Sequence, residues 1–185
     1  MRVTLLTIVI AALFLWSCNV NSENNSDKSE KKDSIKLTEY KYPDRTKKSN
    51  IYEVNIRQYT PEGTFSAFEN HIPRLKKMGV DILWLMPIFP ISETKRKGSK
   101  GSYYAVADYE KVNPEFGNEA DLHKLISTAH KNGMLVILNW VANHTGWDNH
   151  WIKEHPEWYT KDSTGQIISP VPDWTDVADL NYDNK

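Results

Sequence analysis

The stretch from Met134 to His144, MLVILNWVANH, constrains what this chain can fold into more than any other. Met134 to Leu138 is an unbroken apolar run closed by Asn139. That is the pattern of a strand buried on both faces, as in a parallel sheet covered by helices. Asn139, Asn143 and His144 then arrive together where the chain leaves the sheet, and in parallel α/β folds that rim is where ligands bind. For Asn139 the alternative is a plain loop or capping role.

Two strand-and-helix units precede it. Ile51 to Tyr59 (IYEVNIRQY) alternates with period two and is rich in β-branched and aromatic residues, which predicts a first strand. Phe65, Phe68, Ile72 and Leu75 then share one helical face, Gly79 stops the element, and Pro73 marks a kink or a late start. Val80 to Met86 is a second apolar run ended by Pro87, as a buried parallel strand should be. The loop that follows carries Lys95, Arg96 and Lys97 and then Gly98, Gly101, Tyr103 and Tyr104. Asn118 reads as an N-cap with Asp121 three residues on, and Leu122, Leu125, Ile126 and Ala129 form the apolar stripe of the helix they open. Gly133 closes that helix one residue before Met134, so a short turn feeds the third strand, as in a βαβ unit. After His144 the chain loses its period. Five of its seven tryptophans (Trp140, Trp147, Trp151, Trp158, Trp174) lie in the last 46 residues, an irregular aromatic insertion with turns at 162–165 and 171–173.

The N-terminus carries a different signal. Met1 and Arg2 precede the uncharged run Val3 to Trp16, too short for the ~20 apolar residues of a spanning helix and suited to the core of a secretory signal. Ser17 and the single cysteine, Cys18, follow it, a position resembling a bacterial lipoprotein processing site. Acylation there predicts an exported protein anchored to a membrane surface, periplasmic or cell-surface, without spanning it. The alternative is an ordinary cleaved signal with a chance cysteine. Residues 19–50 are rich in Asn, Ser, Lys, Glu and Asp and predict a disordered tether. Its mixed charges and the net charge of -1 argue against a nucleic-acid partner.

From Ile51 to Asn184 the chain closely resembles the start of the catalytic domain of the alpha-amylase family, glycoside hydrolase family 13, and in particular lipoprotein amylases of Bacteroidetes type. Tyr52 to Thr60, Gly79 to Pro90 (GVDILWLMPIFP), Gly101 to Gly117 (GSYYAVADYEKVNPEFG) and Asn139 to His144 (NWVANH) carry the resemblance, in family order and at family spacing. The resemblance implies an α/β fold, part of a (β/α)8 TIM barrel. Its first three strands would fall in residues 51–144, and an irregular insertion of the kind called domain B would start in residues 145–185. It implies that Tyr104 stacks on the sugar at the cleavage site and that His144 hydrogen-bonds the same sugar. It also implies that Asn143 can hold a structural calcium and that Asn139 stands where an aspartate usually supports the catalytic centre.

The substrate implied is an α-glucan or maltooligosaccharide, cleaved with retention by two carboxylates roughly 5 Å apart. In the family these lie on the fourth and fifth strands, beyond Lys185, so the resemblance implies an N-terminal fragment, inactive alone. Asp108, Asp148, Asp173, Asp176 and Asp179 match no motif for that role and read as solvated or turn acids. The alternatives are a non-catalytic glycan-binding lipoprotein, or a family transglycosylase or isomerase. His150 and His155 lack zinc-site spacing and read as surface or loop residues.

Overall fold

The computed structural model describes residues 43–184. The signal segment, Cys18 and the tether to residue 42 lie outside them. Three parallel strands, β1 (Ile51–Val54), β2 (Ile82–Leu85) and β3 (Leu135–Leu138), form one sheet in chain order, with Ile51 beside Ile82 and Ile82 beside Leu135. Helices α1 (Ile56–Tyr59), α2 (Phe65–Glu69) and α3 (Ile72–Lys77) connect β1 to β2, and α4 (Glu119–Lys131) connects β2 to β3. Their apolar faces meet the sheet in one core, where Phe65, Phe68, Leu75, Leu125 and Ala129 pack with Val54, Leu83 and Leu85. This is part of a (β/α) barrel. Among the described residues no helix is long and apolar enough to cross a membrane.

Local chemistry sets the helix ends. The Asn118 side chain accepts from the Asp121 N–H at 3.1 Å, and the Asp121 carboxylate accepts from the Asn118 N–H at 3.0 Å, a complete capping box. At the other end of α4, Gly133 adopts φ +70°, donates to the His130 carbonyl at 2.9 Å, and lets the Met134 N–H return to the Ala129 carbonyl at 2.9 Å. α3 ends in the same way: Gly79 at φ +90° donates to Lys76, and Val80 donates to Leu75. Both are Schellman motifs, which need a residue that tolerates a left-handed backbone.

The structure departs from expectation in three places and meets it at Pro73. β1 stops at Val54 instead of running to Tyr59, because the chain turns at Asn55 into α1. Val54 and Ile56 are both buried two residues apart, which mimics a continuing strand. The helical face from Phe65 to Leu75 is split at Asn70 and His71, and Pro73 marks the late start expected of it, in the first turn of α3, where its missing N–H costs nothing. β3 is not buried on both faces: Ile137 and Leu138 are 43% and 42% exposed, since β3 pairs only with β2 and forms the sheet edge. Ordered structure also begins before Ile51. Residues Asp44–Lys48 form a 3-10 turn, and the Asn50 amide donates to the Gly79 carbonyl at 3.1 Å.

The aromatic segment after β3 is built on a second, antiparallel pair, β4 (His144–Gly146) and β5 (Val177–Asp179), with the short helix α5 (Trp151–Glu154) between them. β4 lies so close to the loop after β2 that a Cβ on Gly146 would stand 2.4 Å from the Ser92 Cβ. The Gly146 N–H donates to the Val106 carbonyl at 2.7 Å across that contact. Asp148 fastens the same loop, its carboxylate accepting from the Ser92 hydroxyl at 3.1 Å, the Thr94 N–H at 2.9 Å and the Glu93 N–H. Burial pushes the Asp148 carboxyl up, but these bonds from Thr94, Glu93 and Ser92 outweigh it and hold the group below its ordinary value.

Two outcomes are expected. Asn118→Ala removes the α4 cap and should lower stability by about 1 kcal/mol in chemical denaturation, with the slope against denaturant unchanged. Asp148→Asn keeps an accepting oxygen and loses the charge, which should cost about 1 kcal/mol at neutral pH. A carboxyl held low in the fold gives stability above its ordinary value of 3.8 and loses it as pH falls through the lower folded value. The acid limb of the stability curve should therefore be shallower in Asp148→Asn than in the parent, measured at a series of pH values.

Candidate active-site cleft

The sheet delivers the site residues to one rim. The Asn139 N–H donates to the Leu85 carbonyl at 2.8 Å, which carries the β2–β3 ladder one residue past the strand. Five residues later His144 begins β4. The loop after β2 returns to the same rim with Tyr104, and the His144 Nε2 lies 3.1 Å from the Tyr104 carbonyl oxygen. A carbonyl only accepts, so Nε2 carries the proton, and Nδ1 accepts from the Asn143 amide at 3.0 Å. Burial lowers the His144 pKa, against smaller opposing effects from the Tyr104 carbonyl, Asp176 and Asp179, so the ring is neutral near pH 7. Its two nitrogens are both engaged. A hydrogen bond from this ring to a sugar requires Nε2 to share or exchange its bond to Tyr104.

Asn139 reaches the other end of Tyr104: its amide donates to the phenol oxygen at 3.2 Å. Tyr104 is therefore held by its carbonyl and its hydroxyl while the residue stays 36% exposed. The four rim residues singled out in the sequence thus form one connected group, Asn139 to Tyr104 to His144 to Asn143.

The insertion closes the cleft with residues that the sequence left unassigned. A cavity of about 590 Å³ is lined by Lys97, Tyr104, His144, Trp174, Asp176 and Val177 among others, within the size range of small-molecule sites. The Trp174 ring meets His144 edge-on, with centroids 5.6 Å apart, and remains 48% exposed. Asp176 was expected to be a solvated or turn acid and is not: it is 7% exposed and ion-paired to Lys97 at 3.2 Å. β5 begins at the next residue, and its pairing with β4 draws Asp176 inward. Asp148 stays exposed, as expected, though its carboxylate is engaged through the loop contacts already described. Asp108 fits the expectation, accepting from the Glu110 N–H at 2.8 Å and from Lys111, and Asp173 is an exposed turn residue. No local signal marks Trp174 or Asp176, because their position depends on the pairing of β4 with β5, strands distant in sequence.

Metal-ligating chemistry is sparse. Among the described residues no group of three or more His, Cys, Asp or Glu side chains gathers. His155 instead stacks on Trp158, rings 3.9 Å apart and 7° from parallel.

Comparison with known proteins adds the family. The model of the alpha amylase catalytic domain matches residues 40–174. An alpha-amylase from Lactobacillus plantarum is similar in structure with a TM-score of 0.72 and 47% identity, over 73% of this chain and 32% of that one. A maltogenic alpha-amylase from Thermotoga neapolitana gives 0.70 and 38%, over 74% and 32%. Among curated relatives, an alpha-1,4-glucan:maltose-1-phosphate maltosyltransferase of Arcanobacterium haemolyticum is 31% identical over 140 residues, 66% of this chain and 20% of that protein. The chain spans about a fifth of the length of such relatives and about a third of the solved amylases. With three parallel strands in chain order and a cleft at their C-terminal rim, the chain belongs to the alpha-amylase family and forms part of its catalytic barrel.

Proposed function

We propose that the whole protein is an α-glucan hydrolase that cleaves α-glucosidic bonds of starch-like chains with retention of configuration. The observation that carries this reading is the rim cleft, where Tyr104 presents an aromatic face and His144 and Asn139 hold it from two sides. A flat ring covers the apolar C–H face of a pyranose, and the flanking polar groups suit its hydroxyls. These residues supply substrate contact. The two carboxylates of a retaining hydrolysis would come from elsewhere in the whole protein. The similarity to a Lactobacillus plantarum alpha-amylase at 47% identity favours water as the acceptor. Glucosyl transfer is the second reading, favoured by the maltosyltransferases among the curated relatives.

Asn139 keeps the shape of the aspartate usual at its position and offers Tyr104 a neutral amide in place of a charged acceptor. Calcium held through the Asn143 side-chain oxygen belongs to the same proposal. Its amide nitrogen is turned to His144, which leaves the oxygen for a hard cation, and further ligands would be carbonyls or single carboxylates. Such an ion would supply a structural link rather than a reacting centre.

The test is maltoheptaose offered to the whole protein with and without maltose-1-phosphate. Release of short maltooligosaccharides without lengthened chains supports hydrolysis; lengthened chains dependent on maltose-1-phosphate support transfer. Tyr104→Ala should weaken maltoheptaose binding about tenfold, measured by calorimetry. Affinity equal to the parent would remove the cleft from the reading.

We also propose anchoring through an acylated Cys18, which rests on Val3 to Trp16 and Ser17 before it. Cys18→Ala should leave the protein in the soluble fraction after detergent partitioning. A variant as firmly membrane-bound as the parent would overturn the anchor.

A further inference from the structure

Trp174 sits in a segment fixed from three points while its own side chain stays half open. Lys97 donates to the Asp173 carbonyl on one side of it and pairs with the Asp176 carboxylate at 3.2 Å on the other. The Trp147 indole N–H donates to the Thr175 carbonyl at 3.0 Å between them. Two backbone bonds fold the segment back on itself, Trp174 N–H to the Val171 carbonyl at 3.1 Å and Val177 N–H to the Trp174 carbonyl at 3.3 Å. The large apolar side chain at the centre nevertheless remains 48% exposed beside His144 in the cleft that Tyr104 also lines. A fixed backbone presenting an exposed indole is an arrangement preorganised for a ligand with an apolar face.

The electrostatics narrow the class of that ligand. Lys97 and Asp176 are the charged residues lining the cavity, and they are paired, so the cleft offers little net charge to an ionic ligand. Two aromatic side chains remain beside an imidazole already engaged by Tyr104 and Asn143, a combination suited to an uncharged sugar with one apolar face and a hydroxyl rim.

We propose that Trp174 is the second aromatic wall of the cleft, stacking on a glucosyl unit of the bound chain, and that Lys97 is the positioning residue that fixes it there. This deepens the α-glucan reading of the same cleft and rests on it. Lys97 belongs to the loop after β2 and Trp174 to the insertion, so the bonds of Lys97 to Asp173 and Asp176 join the barrel to the wall it presents. Lys97 acts on the sugar only through Trp174.

The experiment titrates maltoheptaose into the whole protein by calorimetry, with near-ultraviolet circular dichroism as the check of native packing. Trp174→Ala should weaken binding about tenfold, and Trp174→Phe should recover most of it. Lys97→Met should weaken binding severalfold and Lys97→Arg should not. The double variant Lys97→Met with Trp174→Ala should be no weaker than Trp174→Ala alone, because a residue that works through Trp174 has nothing left to position. Parent-like affinity in Trp174→Ala, with Tyr104→Ala still weakened, overturns the wall and leaves the α-glucan reading standing. Losses that add in the double variant overturn the role of Lys97. A parent that binds no maltoheptaose overturns this proposal and the α-glucan reading together. The phenylalanine and arginine variants keep the outcome readable if either larger change disturbs packing.

Discussion

The arrangement depends on the ladder of β2, the one strand of the parallel sheet bonded on both edges. Ile82 to Leu85 pairs with Ile51 to Val54 on one side and Leu135 to Leu138 on the other, all running the same way. Parallel direction forces every strand to leave the sheet at the same rim. Tyr104 and His144, forty residues apart, meet there because each follows a strand bonded to its neighbour in register. The extra bonds from Met86 to Val54 and from Asn139 to Leu85 carry that register into the loops. The positions of the site residues are thus set by backbone pairing before any side chain in the cleft is considered.

What the sheet cannot do is hold the loop after β2, and the insertion does this with three different chemistries. Gly146 allows a backbone approach that any side chain would block. Asp148 gathers the backbone donors of Glu93 and Thr94 with the Ser92 hydroxyl. Lys95 lays its ammonium 3.5 Å from the centroid of the Trp147 ring. Each joins loop to insertion directly, so the mouth of the cleft is made from both parts at once.

Features governed by neighbours in sequence were legible, and features governed by distant pairing were not. The capping box of Asn118 and Asp121 spans three residues, and Gly79 and Gly133 act on the turn that contains them. Tyr104, Asn139, Asn143 and His144 were legible because they sit in motifs shared with a family, whereas composition alone would have left His144 an ordinary core histidine. The end of β1 was missed because burial of Val54 and Ile56 has the same spacing in a strand and across the turn into α1. The burial of β3 was overstated because an apolar run records what a strand can cover, while exposure at Ile137 depends on which strands lie beside it. Trp174 and Asp176 had no signature at all, since β4 and β5 bring them to the cleft through a pairing that no local pattern encodes.

The paired glycine turns before β2 and β3 do more than end helices. In both, the residue after glycine, Val80 or Met134, gives its N–H back to the last turn of the helix, and the sheet ladder takes over just beyond. The helix end therefore acts as a ruler for the strand, fixing which residue enters first and so which side chains face α2 and α4. One residue gained or lost at either junction would invert the inward and outward faces of the whole strand. Substitutions that merely weaken the core would leave that choice intact. The spacing of these two junctions is consequently a tighter constraint on drift than the identity of the apolar residues they align.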